Sequence, residues 1–235
     1  MERLDKFLCD SGAGTRSQVK AILKAGRVTV NGDPEKDGSR KIDPAVHAVA
    51  LDGEILGGKR RMVVMLNKPA GYVTATEDAN EKTVMELLPE AWRHMDLKPV
   101  GRLDKATEGL LLFTNDGAFA NALMHPKQEV KKIYDVWVTG YYPGCEILLG
   151  RPITLDGYTI RPPQVKLLKA QDGKARLRIA IHEGRNRQIR RMCQAAGMEV
   201  TRLRRIQEGS LRLGDLPLGQ WRYLTDREVQ DLADH

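Results

Sequence analysis

Apolar positions over the first thirty residues follow a helical rhythm and then an alternating one. Leu4, Phe7 and Leu8 share one helix face, and Val19, Ile22 and Leu23 repeat the pattern on a second helix. Thr15 stands where it can cap that second helix and Gly26 where the chain can leave it, after which Val28-Thr29-Val30 alternates into the hairpin signal Asn31-Gly32. From Met62 onward short β-like runs predominate, with a few helices among them. Met62 to Leu66 and Leu110 to Phe113 read as buried strands, the second closed by the turn Asn115-Asp116-Gly117. Lys132 to Val138 places Ile133, Asp135 and Trp137 on one face and Tyr134 and Val136 on the other. Lys174 to His182 separates Ala175, Leu177, Ile179 and Ile181 from Lys174, Arg176, Arg178 and His182. Ile189, Met192, Cys193 and Ala196 fall at i, i+3, i+4 and i+7, the buried stripe of a helix that Gly197 ends. With no regular βαβ repetition, the pattern predicts an α+β protein with a mixed or antiparallel sheet flanked by helices.

Gly57-Gly58-Lys59-Arg60-Arg61 reads as a linker, flexible in its glycines and basic after them. It divides the chain into a small domain over 1–58, a linker over 59–62 and a larger domain over 63–235. Gly53, Gly58 and Lys59 have the spacing of a phosphate-binding P-loop, but position 60 is Arg where a magnesium-binding Ser or Thr is needed, and a strand follows instead of a helix. Nucleotide hydrolysis is therefore not expected.

Charge adds a partner to this picture. The net charge of +7 and isoelectric point of about 9.3 draw the protein to polyanions, nucleic acid first. The apolar runs are too short to span a bilayer, and Met1 to Asp10 mixes charges with Leu4, Phe7 and Leu8 without the apolar stretch of a signal peptide, so a cytoplasmic location without membrane association is expected. Cys9, Cys145 and Cys193 lie far apart, and the histidines are scattered; no disulfide framework, metal site or cofactor is expected. Nothing demands more than a monomer.

Around the apolar positions of the two N-terminal helices stand Lys6, Arg16, Lys20, Lys24 and Arg27, a pattern that suits a helix pair laid on a phosphate backbone and that an ordinary solvated face shares. Lys68, in the turn Asn67-Lys68-Pro69-Ala70-Gly71, is placed to meet phosphate. Arg185, Arg187, Arg190 and Arg191 give planar donors for phosphate or carboxylate, and Arg202, Arg204, Arg205 and Arg212 extend the polyanion reading. In Gly101-Arg102-Leu103-Asp104 an acid sits on the loop entering a core strand, rigidly anchored yet reaching the surface. One carboxylate can act as nucleophile or base but not perform two-carboxylate hydrolysis. A contact between Arg190 and Asp104 would lower the pKa of the acid and keep it ionised. Tyr134, alone in its strand, fits the core and can still border a cleft.

Arg3-Leu4-Asp5-Lys6, Gly14-Thr15-Arg16-Ser17, Gly26-Arg27-Val28 and Val30-Asn31-Gly32 resemble the small RNA-binding domain named after the fourth small-subunit ribosomal protein. Asn67 to Gly71, Gly101 to Asp104, Lys132-Ile133-Tyr134 and Gly184 to Met192 come in the order of the bacterial ribosomal RNA pseudouridine synthases, and Leu218 to Thr225 resembles their RsuA-type branch. This resemblance implies that Asp104 is the catalytic aspartate, that Tyr134 contacts the target ring, that Arg190 pairs with the aspartate, and that Arg102 holds the flipped nucleotide or fills its vacated space. Arg3, Lys6, Arg16, Lys20, Arg27, Lys68, Arg185, Arg187 and Arg191 are the expected RNA contacts. The implied reaction detaches a uracil from its ribose, rotates it and rejoins it through carbon; attack on the base, attack on the sugar and proton removal are all open to the aspartate. The small N-terminal domain and a tail without a long basic extension favour ribosomal RNA of the small subunit, or a partly assembled small subunit. Large-subunit RNA, or a non-catalytic RNA-binding role in ribosome assembly, are the alternatives.

Overall fold

The computed structural model describes residues 1–44, 47–57, 61–90, 92, 95–125 and 128–234. Two compact units emerge, one of residues 1–62 with 89–98 and one of residues 63–88 with 99–235. Gly58, Lys59 and Arg60, on which the linker and the P-loop-like spacing depend, lie outside the described residues.

The first unit contains β1 (Glu2–Arg3), α1 (Leu4–Asp10), α2 (Arg16–Lys24), β2 (Val28–Val30), β3 (Asp33–Pro34), β4 (Lys41–Ile42), β5 (Val49–Leu51) and β6 (Glu54–Leu56). Thr15 and Gln18 form a reciprocal capping box at the start of α2, satisfying donors that the first turn leaves without partners. Asn31 and Gly32 both take positive φ, the geometry of a tight hairpin turn, and β2 pairs across it with β3. Leu4, Phe7, Leu8, Val19 and Leu23 pack against Val28, Val30, Ile42 and Val49, as the helical and alternating periods require.

The second unit runs β7 (Val63–Lys68), β8 (Lys98–Val100), β9 (Thr107–Thr114), α3 (Gly117–Met124), β10 (Lys132–Thr139), α4 (Cys145–Leu149), β11 (Thr154–Leu155), β12 (Tyr158–Thr159), β13 (Gln164–Gln171), β14 (Lys174–Ile181), α5 (Gln188–Ala195), β15 (Glu199–Glu208), β16 (Leu211–Arg212), β17 (Trp221–Tyr223) and α6 (Asp226–Ala233). Its sheet has the order β13-β14-β10-β15-β9-β7-β17, with β16 on β15 and β8 on β9. β9 and β15 run parallel while β10 pairs antiparallel with both β14 and β15, so the sheet is mixed. Asp116 does not simply close a turn after β9: its carboxylate accepts from the N–H groups of Ala118 and Phe119 and starts α3, which buries Phe119 and Leu123 beside Leu110 and Leu112. Among the described residues no helix is long and apolar enough to cross a membrane.

The parallel junction depends on a glycine. At Gly109 φ is +107°, and a Cβ there would lie 2.2 Å from the carbonyl oxygen of Arg205. Gly109→Ala combines left-handed strain with a backbone collision inside a sheet, and is expected to cost roughly 3–5 kcal/mol. Gly157→Ala, also at positive φ but in open space, should cost about 1 kcal/mol. Urea unfolding of both variants checks the difference, and equal losses would mean that the collision is relieved by a shift of the strand.

Candidate active site

Asp104 lies on the loop between β8 and β9, half-buried at the wall of a cavity of about 290 Å³ that also meets Arg102, Thr107, Tyr134, Arg187 and Leu203. The backbone of this loop is tied at every carbonyl from Leu103 to Ala106. Thr74 Oγ1 donates to Leu103 O at 2.7 Å. Lys68 Nζ donates to the carbonyls of Asp104 at 3.3 Å and Lys105 at 3.4 Å, and also to those of Pro69 at 3.0 Å and Thr107 at 2.8 Å. Gly71 N–H reaches Lys105 O at 2.8 Å, and Arg190 Nη2 reaches Ala106 O at 3.1 Å. The side chain of Asp104, by contrast, accepts no hydrogen bond from any described residue, so a fixed backbone presents an unengaged carboxylate to the cavity.

Two sequence expectations change here. Lys68 is not available for phosphate: it is fully buried as the last residue of β7, and its ammonium is held by carbonyls beneath the loop. Burial pushes its pKa down to about 8, against the opposing pull of Asp104 and Glu108. Arg190 does not ion-pair with Asp104. Projecting from α5, its guanidinium bonds Val200 O at 3.1 Å as well as Ala106 O, and it supports the aspartate through the backbone. Burial and neighbouring Arg187 lower the pKa of Arg190, while Asp104 opposes the change.

Tyr134 is buried in β10 with its ring at the cavity wall, and burial pushes its phenol above the ordinary value of 10. Beside it lies Arg205, which its place in a run of arginines puts among the polyanion contacts. Arg205 is buried instead, donating through Nε to Leu110 O at 2.7 Å and pairing through Nη2 with Glu208 at 3.1 Å. Its register opposite Tyr134 and Gly109 turns it inward, a placement that no local sequence signal marks.

The remaining arginines divide. Arg102 and Arg185 line both this cavity and an adjoining cleft of about 660 Å³. Arg185 stacks over the Tyr158 ring at 3.2 Å. Arg187, exposed at the start of α5, lines the cavity alone. Arg191 grips Asp156 with two hydrogen bonds of 2.6 and 2.7 Å and lines neither space, so contact with phosphate there would exchange this exposed pair. Gln188, a residue the sequence did not single out, is buried and fixes the turn before α5: it donates to Glu183 and accepts from Arg185 N–H. Thr107, three residues after the aspartate in the sequence, has its hydroxyl buried at the cavity without a hydrogen-bond partner among the described residues. Among the described residues, no group of three His, Cys, Asp or Glu is placed to hold a metal ion.

In the first unit Arg3 pairs with Asp5, Lys6 with Glu2 and Asp10, and Arg27 with Asp52, all as exposed cations. Such pairs contribute about 0–1 kcal/mol and can be exchanged for phosphate. Arg16 and Lys20 are exposed on α2 and form no ion pair among the described residues.

Comparison with known proteins bears on this site directly. The RNA pseudouridylate synthase family matches residues 62–195, and the S4 domain matches residues 2–46. An uncharacterised RNA pseudouridine synthase of Bacillus subtilis, YtzG, is 37% identical over 99% of this chain and 98% of its own. Ribosomal large subunit pseudouridine synthase B of Bacillus subtilis is 38% identical over 100% and 98%. Ribosomal small subunit pseudouridine synthase A of Vibrio parahaemolyticus is 36% identical over 98% and 99%. A crystal structure of a pseudouridylate synthase aligns over 99% of this chain and all of that one, with 30% identity and a TM-score of 0.67. With its cavity and tied aspartate loop in the matched region, the chain belongs to the RNA pseudouridine synthases, a family of isomerases, and carries an S4 domain ahead of the synthase domain.

Proposed function

We propose that this enzyme converts one uridine of ribosomal RNA to pseudouridine, acting in the cytoplasm as a monomer on the small-subunit RNA, free or in a partly assembled particle. The observation that carries the reading is Asp104: the only acid among the described residues lining the cavity, held by its backbone and unengaged at its carboxylate. In this reading Asp104 reacts with the flipped nucleotide and Tyr134 contacts its ring. Arg102, at the wall shared with the wider cleft, holds that nucleotide or fills the space it leaves. Lys68 and Arg190 are positioning residues. Flipping a base costs a few kcal/mol, which phosphate contacts from Arg185 and Arg187 offset. Residues 1–58 supply docking through Arg3, Lys6, Arg16, Lys20 and Arg27.

Pseudouridine mapping on unmodified small-subunit and large-subunit RNA, each free and in partly assembled particles, tests this. One new pseudouridine in the small-subunit RNA is expected. Modification confined to the large-subunit RNA would transfer the substrate to that subunit, as the similarity to synthase B allows. Tight binding with no product on any RNA would replace catalysis with an assembly role.

A further inference from the structure

The strands β13, β14, β10 and β15 have a second face that the cleft chemistry does not use. Tyr134 and Val136 occupy the cleft side of β10, so Asp135 and Trp137 point the other way. Pairing across the strands sets their neighbours. Lys166 lies opposite Arg178, which lies opposite Asp135, which lies opposite Arg204; in the next row, Lys169 lies opposite Arg176, which lies opposite Trp137, which lies opposite Arg202. Two rows of side chains thus cross four strands, and the cations stand outermost. The side chains of Arg176 and Arg178 are each 43% exposed over an Asp135 that is 3% exposed, and Arg202 is 47% exposed over a Glu108 that is 15% exposed. Lys166 and Lys169 are exposed on the outer strand without an ion-pair partner among the described residues. Further acids stand at the end of this face, Glu199 opposite Thr139 and Asp172 beside Lys174 and Arg176.

Trp137 lies between the guanidiniums of Arg176 and Arg202, 4.9 and 4.7 Å from its ring centre. Stacking fixes both planar forks while leaving N–H groups at their edges, so little side-chain freedom remains to be given up when an anion binds. At the end of these rows a shallow groove of about 900 Å³ is lined by Trp137, Lys169, Lys174 and Arg176 together with Leu168 and Asp172. A protein partner would need a desolvated apolar centre, whereas nucleic-acid interfaces are polar and strongly cationic. The centre of this face is charged.

We propose that this outer sheet face is a second RNA-binding surface, which grips the phosphodiester backbone of a segment of the substrate outside the cleft. The assignment rests on RNA being the ligand of the cleft. Its test uses the full chain, with Lys166→Glu and Lys169→Glu combined, and separately Arg176→Gln with Arg202→Gln. None of these residues lines the cavity of Asp104. The probes are deproteinised small-subunit ribosomal RNA and a short oligouridylate that fills only the cleft, and thermal melting verifies that each variant is folded. For the lysine pair, the plot of log affinity against log salt on the long RNA is expected to become shallower by about 0.7–0.9 for each phosphate the face no longer neutralises, with affinity down about tenfold or more, while oligouridylate binding stays within about twofold. An unchanged salt slope in both variants would overturn the proposal, as would an equal weakening on the oligouridylate. Competition by polyglutamate as strong as by RNA would overturn it in favour of an acidic protein partner. Because binding is read without turnover, absence of pseudouridine on every RNA would remove the proposed reaction and leave this surface standing.

Discussion

Asp104→Asn is expected to lower pseudouridine formation by about 10⁴-fold or more while leaving RNA affinity within about twofold. The substitution keeps the shape of the side chain and removes its charge and nucleophilicity. No described residue donates a hydrogen bond to the carboxylate, so no partner is left unsatisfied, and stability should move by less than about 0.5 kcal/mol. Arg102, Arg185 and Arg187 around the cavity keep their positive field, and affinity should if anything rise slightly. Quantitative pseudouridine mapping after single turnover, beside RNA binding on the same preparations, gives both quantities. Product formation near the wild-type rate would assign the chemistry to another group.

Lys68→Met is the second large effect, and it acts at a distance from the substrate. Methionine fills much the same volume but leaves the carbonyls of Pro69, Asp104, Lys105 and Thr107 without the ammonium they share. Lys105 O keeps the Gly71 N–H and Asp104 O the Thr107 N–H, but the carbonyls of Pro69 and Thr107 lose the ammonium, and because an unsatisfied buried acceptor costs about 1–3 kcal/mol the loop shifts to recover hydrogen bonds. A displacement of the reacting group by about 1 Å reduces turnover by roughly 100-fold. The expected signature is a fall in kcat with KM nearly constant, together with lower stability. The pH dependence supplies a check that simple misfolding would not reproduce. In the folded protein the pKa of Lys68 is about 8, against 10.5 ordinarily. Between those values the unfolded chain holds the proton and the folded one releases it, so this group makes stability rise with pH across that window. Below about 8 both states hold it and its contribution is constant. Wild type should show this rise relative to the variant in denaturation series from pH 7 to 10.5; parallel curves would mean that Lys68 titrates normally.

Much of this arrangement was legible in the chain itself. The first two helices and the hairpin after them followed from local rules alone, because Thr15, Gly26 and Asn31-Gly32 act within a few residues of themselves. The loop bearing Asp104 was marked by Gly101 before it and by the apolar run after it. What stayed hidden depended on partners distant in sequence. Lys68 looks like a surface turn residue until the loop around Asp104 folds over it, 36 residues later. Arg191 looks free until Asp156 meets it across 35 residues. Arg205 sits in a run of arginines whose alternation is disturbed by register shifts between β10 and β15, so its inward direction is set by pairing and not by period. Asp116 misled in the opposite way, since Asp-Gly serves equally as a hairpin turn and as the start of a helix.

The parallel pairing of β9 with β15 also sets when the cleft comes into being. Arg205 bonds Leu110 across 95 residues, and Arg190 reaches back 84 residues to Ala106. Strands so far apart close a long loop before they gain any contact, which makes their docking a late event in folding. As the chain leaves the ribosome, N-terminal end first, the S4 unit has nearly all of its own sequence available long before β15 has been synthesised. During synthesis, then, the S4 unit is complete while the synthase cleft is still unbuilt, and no partial chain short of β15 assembles a competent cleft.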